Sequence, residues 1–122
     1  MQIARQTGRS SLFARVGVRP AVGPVRCEAG SPYSLWSQAA VRGAEAAGGG
    51  VVIVTLLGTV VDTTPAAVAA AAFWATRTVH GAGRHDGHAV AAWCQELGPD
   101  VLPSVDQLRA LGEAQGAASR WS

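Results

Sequence analysis

Lysine is absent from this 122-residue chain, and all ten of its basic side chains are arginine. That absence excludes chemistry that needs an amine, such as Schiff-base formation or a phosphate-clamping lysine. Acids are scarce too: there are eight, none of them in the first 27 residues. Two cysteines, Cys27 and Cys94, are too few for a disulfide framework and are read as reduced thiols in a reducing compartment. Cys94 falls in an Ala-rich helical pattern and reads as a small buried hydrophobe. Hydrophobic residues make up 48% of the chain, but many are alanine, so a core of Ala, Val and four Trp is thin. The length allows at most one small domain. No glycine-rich phosphate loop is present: Gly48-Gly49-Gly50 precedes an apolar run and does not open a helix.

The net charge of +2 hides a division. Residues 1–27 carry Arg5, Arg9, Arg15, Arg19 and Arg26, whereas residues 28–122 carry five arginines against eight acids. The arginine-rich, acid-free start, with Thr7, Ser10 and Ser11, reads as an organelle transit peptide or a disordered arm, with Val25–Gly30 as the cleavage region. A cleaved peptide implies a chloroplast or mitochondrion; otherwise the chain is cytoplasmic. A basic arm on an acidic body is not a nucleic-acid footprint, which requires basic and aromatic residues on one folded face. The expected partners therefore include no nucleic acid.

Residues 28–50 read as a helix and a Gly-rich linker. Ser31 is a candidate N-cap and Pro32 fits the first turn, with Trp36, Ala40, Gly43 and Ala47 on one face. Val51–Leu57, β-branched and bounded by glycines, predicts a buried strand. Thr64 and Pro65 then open a helix with a stripe of Val68, Ala72, Ala75 and Val79, stopped at Gly81 and Gly83. Asp86 is a candidate N-cap for a second helix, which ends at Gly98-Pro99. A third begins at Ser104, whose spacing to Gln107 matches a capping box, with Val105, Leu108 and Leu111 on one face. From Ala46 to Thr76 the only charge is Asp62, long enough to span a bilayer. Asp62 near the middle would cost about 2.5–3.5 kcal/mol, and a strand followed by a helix is the better reading.

Val51–Pro65, Val-Val-Ile-Val-Thr-Leu-Leu-Gly-Thr-Val-Val-Asp-Thr-Thr-Pro, resembles the first motif of the haloacid dehalogenase superfamily, in particular its phosphoglycolate phosphatase-like members. Their pattern is an apolar strand, Asp-x-Asp-Gly-Thr-Leu-Val-Asp-Ser/Thr, and a proline that opens a helical cap. Gly58, Thr59, Asp62, Thr63 and Pro65 fall in register, and Gln95–Ala117 is similar to part of the cap. The resemblance covers about residues 50–118 and implies an α/β fold, mostly helical. Its core would be one buried strand (51–57) of a truncated Rossmann-like sheet. Residues 51–64 would form the strand and first-motif loop, and residues 65–122 the cap-like region.

The resemblance also implies Mg²⁺-dependent phosphate-ester hydrolysis, with an aspartyl nucleophile and a second aspartate as acid/base. Thr55 stands at the nucleophile position and Leu57 at the acid/base position; Gly58 and Thr59 would shape the phosphate loop, and Asp62, Thr63 and Pro65 the structural turn. Without the carboxylate, the lysine and the later metal-binding acids, the implied chain is truncated and catalytically impaired. The alternative is a non-catalytic, organelle-targeted accessory or interaction protein, with membrane association as one form of it, possessing a protein partner or missing a C-terminal core. A rival site is His80, His85, Asp86 and His88, three imidazoles and a carboxylate within nine residues. They are weak candidates for a transition metal, because their spacing matches no standard zinc module and the glycines between them suit a solvated loop. Trp36, Trp74, Trp93 and Trp121 read as packing residues or partner anchors.

Overall fold

Phe13–Arg19, Phe-Ala-Arg-Val-Gly-Val-Arg, has the period of a strand with one buried face. In the computed structural model it is the middle of β2 (Ser10–Pro20). The structure describes residues 2–7, 10–30, 34–59, 62–81 and 87–121, with side-chain surroundings for 13–30, 34–59, 62–81 and 89–114. Ala14 and Val16 are fully buried and Val18 packs against the same core, while Arg15 and Arg19 are exposed. The other strands are β1 (Gln2–Thr7), β3 (Arg26–Cys27) and β4 (Val51–Leu57), in the order β1-β2-β4-β3. β2 runs antiparallel to both β1 and β4, and β3 pairs parallel to β4 over two residues.

The chain is thus α/β, and the expectation of a single strand is corrected. β4 is predicted with its observed bounds, but its edges are covered by β2 and β3. Residues 10–20, read as an arm, lie inside the sheet. Their alternation is hidden in the sequence because the outward positions after Phe13 are arginine and glycine, which resemble a solvated tail in composition.

The helices are α1 (Ser34–Ala46), α2 (Pro65–Val79), α3 (Gly87–Leu97) and α4 (Val105–Trp121). α1 presents Trp36, Ala40 and Gly43 to the core as expected and stops where the Gly49 amide donates to the Ala44 carbonyl. The Ser31 and Asp86 caps lie outside the described residues. At the start of α2 the Ala67 amide donates to Thr64 Oγ1 at 3.2 Å, and Pro65 occupies the first turn, where its missing N–H costs nothing. At α4 the capping box closes reciprocally: the Ser104 amide donates to Gln107 Oε1 at 2.8 Å, and the Gln107 amide to Ser104 Oγ at 3.1 Å.

α2 is buried on every side from Pro65 to Thr76, not along one stripe, and Val79 is exposed. An alanine helix shows no polar face to read, and here it forms the centre of the molecule. α1 and β2 are its main neighbours, with α3 and α4 alongside. Small residues bring α1 close: a Cβ on Gly43 would run into the Ala69 carbonyl oxygen. The aromatic part of the core is an edge-on pair, Phe73 and Trp74, with centroids 4.9 Å apart. Trp36 is buried and Trp93 half-buried against this core. Burial raises the Cys94 thiol to about 12, in keeping with a packing role. Among the described residues no helix is long and apolar enough to cross a membrane, and residues 46–76 divide between the end of α1, β4 and α2.

Candidate functional site

The candidate site begins at an irregularity in β4. Gly17 is paired with Thr55 and Val18 with Ile53, so Val54 has no partner and forms a bulge. The extra residue reverses the side-chain phase. Before it, Val51 and Ile53 face the core; after it, Leu56 does. Thr55 and Leu57 therefore lie on the outer face of the sheet, beside Gly17 and Arg15. Thr55 is half-buried and Leu57 is 50% exposed. A side chain at Gly17 would crowd Thr55, its Cβ falling 3.1 Å from the Thr55 Cβ.

The loop after β4 is closed by its own hydroxyls. The Thr59 amide donates to Thr63 Oγ1 at 2.7 Å, and that hydroxyl donates onward to the Phe13 carbonyl on β2 at 2.6 Å. The Asp62 amide donates to Thr59 Oγ1 at 3.0 Å, and the Phe13 amide donates to the Asp62 carbonyl at 2.9 Å. Gly58 is needed because the Thr63 side chain occupies the place a Cβ would take. Gly58, Thr59, Asp62, Thr63 and Pro65 are thus brought together as one turn that ties β4 and α2 to β2. The Thr59 and Thr63 hydroxyls are both engaged by the backbone. Thr55 and Leu57 belong to the sheet face, outside this ring of bonds.

His80 lies at the end of α2, exposed, its Nε2 2.9 Å from the Gly49 carbonyl oxygen. It joins the helix end to the glycine turn before β4. His85 and Asp86 lie outside the described residues, as does the side chain of His88 on α3. Among the described residues no group of three His, Cys, Asp or Glu side chains is placed to hold a metal ion. Two shallow clefts flank the helices: one of about 240 Å³ between Gly17 and Val18 on β2 and Ala75, Thr78 and Val79 on α2, and one of about 360 Å³ along Ser37, Val41 and Glu45 of α1.

Sequence reasoning missed the arginines of the sheet as members of a surface. Arg19 and Arg26 stand on either side of Val52, and both reach Glu28: Arg19 Nη2 at 3.3 Å and Arg26 Nη2 at 3.2 Å. Val52 beneath them is fully buried. The period-two alternation of residues 13–19 is the signal that could have found this face. No family model, no curated protein and no solved structure matches the chain.

Proposed function

We propose that this chain acts by binding and not by turnover, and that its phosphatase-type stretch serves as a structural turn. The observation that carries the reading is the closed ring of bonds through Thr59 and Thr63, which engages both hydroxyls and the Thr59 and Asp62 amides in joining β4, α2 and β2. The two positions that would do the chemistry, Thr55 and Leu57, carry no carboxylate and lie on the sheet face away from that turn. On this reading the N-terminal segment stays attached, because cleavage within residues 25–30 would remove β2, which lies between β1 and β4.

A second reading, an impaired haloacid dehalogenase-like hydrolase, is favoured by the strand–loop–helix order with Pro65 at the start of α2. Its finer form, a truncated Rossmann-like core, calls for parallel neighbours on β4, whereas the longer of the described pairings of β4 is antiparallel. One assay separates the two readings: the purified chain with p-nitrophenyl phosphate and Mg²⁺. The binding reading expects the buffer rate, unchanged by chelator and unchanged in Thr55→Asp. Mg²⁺-dependent turnover that Thr55→Ala abolishes would establish the hydrolase instead.

A further inference from the structure

Ala14, Val16 and Val18 take the inner face of β2, so Phe13, Arg15, Gly17 and Arg19 take the outer one. The register carries that face across the sheet. Arg15 stands opposite Leu57, and Val52 separates Arg19 from Arg26. All three guanidinium-bearing residues are exposed, and Phe13 is half-buried outside the core cluster. Basic and aromatic side chains therefore share one folded face, which an N-terminal arm would not have provided.

None of the four strands contains an acid; Glu28, just beyond β3, pairs with Arg19 and Arg26, and Asp62 stands at the other end, where its carbonyl accepts from the Phe13 amide. The single Glu28 carboxylate faces two guanidiniums, each with five N–H donors, so donors remain for another anion. Arg15 adds a third positive charge four residues along β2, about 13 Å from Arg19 at the usual strand rise. Between them the Thr55 side chain fills the space beside Gly17, so the middle of the face carries a hydroxyl-bearing residue and no charge.

We infer that this outer sheet face binds single-stranded nucleic acid, with Phe13 as a stacking platform and Arg15, Arg19 and Arg26 on the phosphates. The inference rests on the binding reading above and names its partner class. Single strands are favoured because an open sheet face meets unstacked bases, and base stacking on an aromatic ring combined with arginine contacts is the chemistry that holds them. An acidic protein would satisfy the arginines but leave Phe13 unused.

The test is fluorescence anisotropy of a labelled oligouridylate of about 12 nucleotides, within the usual footprint of a sheet platform, titrated with the full chain. Binding is expected to weaken as salt rises, with a log–log slope of about −2 for three phosphate contacts. Replacing all three arginines (Arg15→Gln, Arg19→Gln, Arg26→Gln) is expected to flatten that slope and weaken binding at least about tenfold. Phe13→Leu is expected to weaken binding about tenfold with the slope unchanged, and Phe13→Tyr, which keeps the ring, to restore it. Circular dichroism establishes that each variant is folded, and Phe13→Trp, whose larger ring is expected to tighten binding, carries the stacking test if Phe13→Leu does not fold. The inference is overturned by absent binding at low salt, by binding indifferent to these substitutions, or by equal competition from polyglutamate. Absent binding without phosphate-ester turnover overturns only this inference, whereas Mg²⁺-dependent turnover overturns the binding reading beneath it.

Discussion

Around α2 the residues are small and the elements close. Ala66 to Ala72 are all fully buried, α1 crosses at Gly43, and the helix has no solvent face until its last turn. The sheet is built differently. Its inner face is held by Ala14, Val16, Val51, Ile53 and Leu56, while its outer face is largely exposed and carries arginine. The helical layer gains from contact at short range, where each methyl group counts. In the sheet, the register does most of the positioning, and the outer residues are constrained by pairing more than by packing. The first region therefore tolerates few changes of volume, and the second leaves its side chains available for a partner.

Removing residues 1–27 has the largest expected effect. If β2 is integral to the sheet, the shortened chain loses its cooperative unfolding transition, followed by circular dichroism; if the segment is an arm, the transition survives. Next is Gly43→Leu, which forces α1 away from the Ala69 carbonyl and is expected to cost about 3 kcal/mol in urea denaturation. A comparable change at exposed Arg15 is expected to stay within about 0.5 kcal/mol.

Cys94 gives a pH-dependent test of the helical layer. Its thiol rises from 9.0 to about 12 because burial disfavours the thiolate. The folded state thus holds the proton more tightly than the unfolded chain. Stability from this group is complete below 9.0 and is lost as pH climbs toward 12, at up to about 1.4 kcal/mol per pH unit. Cys94→Ala is expected to flatten that decline in thermal melts taken across the same range. The last effect has the opposite sign. Thr76 Oγ1 is buried without a hydrogen-bond partner among the described residues, so Thr76→Val is expected to stabilise the chain by about 1 kcal/mol. A loss of stability would show that the hydroxyl is satisfied.

What could be read from the sequence follows from contrast. The ends of the elements were legible because caps and stops are local chemistry: Thr64 with Pro65, Ser104 with Gln107, and Gly98, whose φ of 92° ends α3. The strand Val51–Leu57 was legible from its β-branched run, but its bulge was not. Seven residues with one hydroxyl offer no polar marker from which to see the phase reverse at Val54. The position of Thr55 on the outer face was thereby hidden, and the first-motif register alone could not supply it. β2 was missed for the opposite reason. Its alternation was present, but an acid-free stretch of arginines weighed toward a tail. Burial of α2 all round could not be seen in a helix whose apolar side chains are nearly all alanine.

The pairing of β2 with β4 also sets a delay during synthesis. Val16 meets Leu56, about 40 residues later in the chain. At about 5–20 residues per second, β2 leaves the ribosome some 2–8 seconds before its partner can join it. During that interval a strand with an apolar face has an open edge, the condition that invites pairing with other chains. Arg15 and Arg19 place like charges four residues apart on one face of this waiting strand, so two copies meeting there would repel. The arginines of the finished surface would then already act before the fold exists, keeping its central strand from joining another chain.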